Sequence, residues 1–393
     1  MVAIDFPSNP TTGQQFTAAG ITWIWDGSKW TTSGSGGPYL PFSGGTLTGP
    51  LILAADPTVP LGASTKQYVD NEKYGDNRII NGDMWVGQRG LSGGSAAAGY
   101  ALDRWAQNSN PASLVNWAQG SGTGAPLGYG FEYWIGFQSI TSHVIAAADY
   151  AQVYQPIEAD MVYDLAWGTV SAQPITLSFV VYSSLVGIFS GCITNSGATR
   201  SYPFTYSIPT ANTWTKISVT IPGDTTGTWL SSGNGAGLVV HFSLGSGSTY
   251  SGPAGTWASA NYVGATGSVA IIATNNAIWN ITGVKLEVGS IATPFNRQSL
   301  TKSMADCQRY YSIVPLHGLI TAQAAGWYII APGVLPVQMR AIPTLSYTPS
   351  SSNLNVGTVS FDGITQANFR AYSASIAAGA TQIEGPVFCS AEL

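Results

Sequence analysis

Three acids fall within seven residues of this 393-residue chain: Glu158, Asp160 and Asp164, in QPIEADMVYDLAW. Glycoside hydrolysis needs two carboxylates about 5–10 Å apart, so the cluster is the first place to look for chemistry. A loop-to-strand turn in any β-sandwich shows acids in the same pattern, and QPIEADMVYDLAW reads as such a turn. GLSGG at 90–94 fits the serine-hydrolase elbow formally. The elbow needs a strand before it and a helix after it. Here the match lies in a Gly/Ser/Ala run and reads as a loop. His143, His241 and His317 are isolated and lack metal-ligand spacing, and His241 reads as a satisfied strand histidine. GNGAG at 233–237 lacks a βαβ context, which sets nucleotide binding aside. Cys192, Cys307 and Cys389 are too scattered for a disulfide framework or a zinc site. No catalytic set emerges, and the chain reads as a non-enzyme.

Aromatic side chains offer a different chemistry. Sugar recognition uses exposed ring faces for stacking, with amides or carboxylates nearby for the hydroxyls. Trp229, Tyr250 and Trp257 lie in Gly/Ser-rich stretches rather than at alternating strand positions, and are the candidates for glycan contact. Trp105, Trp167, Trp214 and Trp279 sit in apparent strands and are expected in the core.

The scaffold follows from composition. Charged residues make up 8% of the chain, where about a quarter is usual, and hydrophobic residues 45%. Polar uncharged residues fill the gap, with 47 Gly and 22 Pro. Such a chain is rich in turns and poor in helix formers, so an all-β fold is expected. The net charge of −5 and the scattered cations provide no basic stripe for nucleic acid. The most apolar stretch, 175–189, is too short and too Ser-interrupted to enter a bilayer. MVAIDFPSNP is not a secretory signal, which implies synthesis in a cytoplasm.

Four segments are expected. Residues 1–38 hold an aromatic hairpin, with Ile21, Trp23 and Trp25 in one strand, a turn at Asp26-Gly27 and a return from Lys29-Trp30. SGSGGP then acts as a linker. Residues 39–76 contain GGTLTGPLILAADPTVPLGASTKQYVD, in which Leu47, Leu51 and Leu53 form a thin apolar stripe. Ser64 and Gln67 make a capping box for a short helix carrying Tyr68 and Val69. Neither stripe nor helix can hold alone, so these five apolar residues are expected to pack against further copies of the chain. Residues 77–300 read as one β-sandwich of the jelly-roll type. Its expected strands include ITLSFVVYS, WTKISVTIPG, GLVVHFSLG, SVAIIATNN and AIWNITGVKLEV. Residues 301–393 read as a terminal β domain. It is entered by a helix capped through Ser303 and Asp306, with Met304, Cys307 and Tyr311 on one face.

GGTLTGPL followed by DPTVPLGASTKQYVD resembles the shaft module of tail-fibre and receptor-binding proteins of tailed bacteriophages. FPSNPTTGQQF and ITWIWDGSKW resemble modules that begin such fibres. RIINGDMWVGQRG, ALDRW, NTWTKISVTIPGDTTGTW and TGVKLEVGSIATPF are similar to a jelly-roll domain common in the same proteins, related in plan to carbohydrate-binding modules. CQRYY with PVQMRAIPTLSY resembles the end-piece that follows it. The resemblance covers most of residues 1–311. It implies a virion protein that forms a parallel homotrimer, attaches through its N-terminus to other virion proteins, and binds host polysaccharide or lipopolysaccharide. It also implies that Trp327, Phe361, Phe369 or Tyr372 in the tip could meet the host. Related modules often hold a structural calcium near the first and last strands, where Asp83 and Glu287 stand. Two acids are too few for calcium, and no cofactor is expected. A head-mounted fibre or spike and a polysaccharide depolymerase are the alternatives. A secreted bacterial sugar-binding module is disfavoured by the missing signal.

Overall fold

The computed structural model describes residues 4–18, 20–32, 76–94 and 98–393. Leu47, Leu51, Leu53, Tyr68 and Val69, on which the expected self-association rests, lie outside the described residues. The chain divides into two compact units, Met1–Thr65 and Lys66–Leu393.

The first unit carries an antiparallel sheet of three strands in chain order, β1 (Gln15–Ala18), β2 (Ile21–Trp25) and β3 (Trp30–Thr32). The expected hairpin is β2–β3, and β1 pairs with β2 as a third strand beyond it. Asp26 sets the tight turn: its Oδ1 accepts from the backbone N–H of Ser28 at 2.8 Å and of Lys29 at 2.9 Å. Phe6 fills one face of the sheet, with its ring 5.3–5.4 Å from those of Phe16, Trp23 and Trp30.

The second unit opens with the strands of a sandwich. They are β4 (Ser92–Gly93), β5 (Ala98–Leu102), β6 (Trp105–Asn110), β7 (Val115–Ser121), β8 (Tyr133–Ser139), β9 (Tyr150–Glu158) and β10 (Ile175–Ser183). There follow β11 (Gly187–Asn195), β12 (Ser201–Ile208), β13 (Thr215–Ile221), β14 (Ala236–Ser246), β15 (Ser251–Gly252), β16 (Gly264–Ala265) and β17 (Ile278–Val288). One sheet runs β13-β10-β17-β8-β7-β4 and the other β12-β11-β14-β9-β6-β5, with antiparallel pairing throughout. Strands distant in sequence become neighbours, as in a jelly roll. The fold is all-β, as the composition indicated.

The two sheets trap large rings between them. Trp105, Trp279 and Phe242 are fully buried, and the Phe242 ring lies 5.1 Å from Phe179 and 5.7 Å from Trp279. Alternation along the strands aims these side chains inward. SVAIIATNN is not a strand: Ile271–Ala273 is a single 3-10 turn. Ile271 and Ile272 are both fully buried. The turn sends both into the core.

The start and end of the sandwich are clasped together. Arg78 N–H donates to Leu286 O and Val284 N–H to Gly82 O, each at 2.9 Å. The Asn77 side chain donates to Val284 O and accepts from Leu286 N–H, both at 3.0 Å.

Beyond the clasp, α1 (Leu300–Gln308) leads into the tip. Its N-cap is Ser299, whose hydroxyl accepts from Lys302 N–H, and not the expected Ser303–Asp306 pair. Ser303 is buried one turn inside the helix, and Asp306 is taken by Lys302 at i, i+4. Tyr311 begins a strand instead of continuing the helix. The tip consists of β18 (Tyr311–Ala322), β19 (Tyr328–Val334), β20 (Thr344–Tyr347), β21 (Ser360–Asp362), β22 (Asn368–Ala374) and β23 (Gly379–Ser390). Two three-stranded sheets, β18-β23-β20 and β19-β22-β21, enclose a second core around Leu316, Ile329, Phe369, Ile383 and Val387.

Candidate functional site

A groove of about 640 Å³ opens where β9 ends, beside the clasp and α1. The sequence builds its wall locally. β9 stops at Glu158, and two 3-10 turns, Ala159–Met161 and Tyr163–Leu165, carry Asp160, Tyr163 and Asp164 past the sandwich rim. Thus the acidic cluster of the sequence lines this groove. Arg78 from the clasp and Arg309 from the end of α1 complete it.

These partners are what sequence reading missed. Arg78 grips Asp164 through two nitrogens, at 2.9 Å and 2.6 Å, and also donates to Met161 O. Arg309 donates to Glu158 Oε2 at 2.7 Å. Asp160 Oδ1 accepts from Gly233 N–H at 2.5 Å. Glu158 and Asp164 therefore form structural ion pairs with different arginines. In a chain with 14 cations, each one near an acid was a signal, but 86 and 151 residues separate these pairs. Glu158 is 2% exposed, and its Oε1 makes no hydrogen bond among the described residues. Burial pushes the neighbouring Tyr310 hydroxyl well above its usual range, against the nearby Arg104 charge and with Glu158 adding to the rise, so it remains a phenol. Tyr163 stands at the rim, 66% exposed.

The predicted glycan aromatics fall in three places. Trp229 and Trp257 do lie in loops, and they meet each other with centroids 5.5 Å apart. Both pack edge-on against Trp167, at 4.6 Å and 5.3 Å. Each indole N–H is already bonded, Trp229 to Asp224 Oδ2 and Trp257 to Pro222 O. The cluster is half-buried over the sandwich core. Tyr250 packs on Tyr150 at 4.8 Å. In the tip, Trp327 is 49% exposed, and Tyr372 lies 6.3 Å from the exposed Tyr328. Phe369 is buried in the tip core and cannot meet a host surface.

Of the tryptophans expected in the core, Trp105 and Trp279 are there. Trp167 is buried, but in the loop after a 3-10 turn. Trp214 is neither in a strand nor buried. It precedes β13, packs on Trp134 and Tyr182, and donates to Gly124 O.

The remaining candidates are accounted for by local bonding. Ser92 lies in β4, paired with Ala118, and not on an elbow. Glu287 accepts from Thr293 N–H at 2.9 Å and pairs with Lys285 Nζ at 3.1 Å. Burial raises the Asp83 carboxyl, with Arg297 opposing. Among the described residues no group of three potential ligands could hold a metal ion. His143 pairs with Asp149 at 2.7 Å, and His317 is exposed on β18. All three cysteines are free and buried, and burial pushes the Cys389 thiol up to about 12. Among the described residues no helix is long and apolar enough to cross a membrane.

No protein-family model matches this chain, and a search of curated proteins returns no match to it.

Proposed function

We propose that the chain is a structural, non-enzymatic fibre protein of a phage particle that binds a host-surface glycan as a homotrimer, with the junction groove as its sugar site. The observation that carries this reading is the exposed Tyr163 beside planar polar groups already paired with each other. A tyrosine ring offers a stacking face, and guanidinium–carboxylate pairs offer fixed donors and acceptors without demanding a counter-ion. That combination suits a neutral polyol. The volume of about 640 Å³ falls within the range of small-ligand sites. The order of the shaft, sandwich and end-piece strings supports a fibre. Three weak sites on one trimer would gain roughly 10² to 10⁴ in avidity.

Light scattering and binding to purified surface polysaccharide test the reading. A mass of three 41.0 kDa chains is expected. Tyr163→Ala should bind about tenfold more weakly, the loss of a stacking contact, at unchanged mass. A monomer that binds no polysaccharide would overturn the proposal. Release of reducing ends, abolished by Glu158→Gln, would replace it with a depolymerase.

A further inference from the structure

A second cavity, of about 250 Å³, lies over the outer face of β10, β13 and β17, and its chemistry is opposite to that of the junction groove. It is created by a β-bulge. Ser178 pairs with Lys285 but Val180 pairs with Thr282, so Gly283 and Val284 together face Phe179. Gly283 adopts φ +62°, which favours glycine, and a Cβ there would lie 2.4 Å from the Phe131 ring. The glycine thus lets Phe131 settle against the strand. Phe295 meets Phe131 edge-on at 5.1 Å, and Tyr129, 45% exposed, closes one side.

Two cations border this aromatic floor. Arg297 lies 4.9 Å over the Phe131 ring, and Lys216 stands on β13 opposite Val180. Both are exposed, and neither makes a salt bridge among the described residues. No carboxylate lines the cavity. The junction groove, by contrast, is lined by five carboxylates and three cations.

We infer that this cavity binds a single anionic sugar residue, its ring against the accessible Phe295 and Tyr129 and its carboxylate or phosphate between Lys216 and Arg297, while the buried Phe131 supports them from beneath. The inference rests on the glycan-binding reading and names a second, acidic-sugar subsite. The size suits one ring, being below the roughly 300–1,000 Å³ of sites for larger ligands. Charge-assisted bonds to the two cations supply selectivity for the anion, and the rings supply selectivity for a sugar over a bare ion.

The test is calorimetric titration of the full chain with a glucuronate-containing disaccharide, glucose 6-phosphate, a neutral disaccharide and inorganic phosphate. At least one acidic sugar should bind, and which one does so distinguishes carboxylate from phosphate. The neutral disaccharide should not occupy this cavity. Lys216→Gln with Arg297→Gln should weaken the acidic sugar by about tenfold or more, while Tyr163→Ala leaves it unchanged. Phe295→Ala should weaken the acidic sugar but not inorganic phosphate. Acidic-sugar binding that survives the double substitution, or that inorganic phosphate matches, overturns the inference. If acidic sugars fail while polysaccharide binding through Tyr163 persists, only this inference falls. If no glycan binds at all, the proposed function falls with it.

Discussion

His241 is buried in β14, stacked on Tyr154 at 5.7 Å, and both ring nitrogens are engaged. Gln152 Oε1 accepts at 2.8 Å, so Nδ1 carries the proton, and Nε2 accepts from the Thr194 hydroxyl at 2.9 Å. Burial pulls this imidazole down to about 3. The folded protein then refuses a proton that the unfolded chain takes below about 6.5, so stability is full above that pH. It should fall by about 1.4 kcal/mol per pH unit on further acidification, until the folded imidazole itself titrates. Denaturant unfolding at several pH values, with His241→Gln as control, checks this: the variant should lose that slope. The histidine was legible because its strand alternates. Tyr163 was not, because a 3-10 turn has no sequence period to reveal its outward face. Nor were Arg78 and Arg309, whose acids are distant in sequence.

Elements were legible where alternation was clean. β10, β13 and β17 lie where the apolar pattern put them, whereas Ile271-Ile272 mimicked a strand because two adjacent buried side chains give the same composition. The cap of α1 was misplaced for a related reason: of the two serines near the helix start only Ser303 has an acid three residues on, yet packing decides that Ser299 caps and Ser303 is buried. The bulge in β17 is the element with the sharpest expected phenotype. Gly283→Ala places a methyl in Phe131 and a side chain in the left-handed region, so a loss of about 1–3 kcal/mol is expected. A denaturant midpoint indistinguishable from that of the unaltered protein would mean that Phe131 moves aside freely.

At the scale of the second unit, the tip is held to the sandwich by charges that would be costly alone. Arg104, 1% exposed, pairs with Glu392, which also binds Arg89 at 2.6 Å. The two guanidinium groups each lie 3.6 Å over a tyrosine, Arg104 on Tyr310 and Arg89 on Tyr311. Removing the carboxylate charge leaves Arg104 buried without its partner, so Glu392→Gln should cost about 3 kcal/mol. Calorimetry should show the tip melting before the sandwich in the variant, where the unaltered unit melts as one. Nothing in the sequence foretold this contact: Glu392 follows the last strand, and Arg104 sits inside ALDRW, 288 residues away.

The clasp between Asn77–Gly82 and Val284–Leu286 has a mechanical meaning. The polypeptide enters and leaves the sandwich at neighbouring points, so tension along the chain passes first across a few hydrogen bonds instead of through both sheets. Because the two segments run antiparallel, with the entry and exit at the same end, those bonds bear the load one after another, like a zip. The sandwich is therefore hung beside the line of force, and pulling would open the clasp before it stretched either sheet.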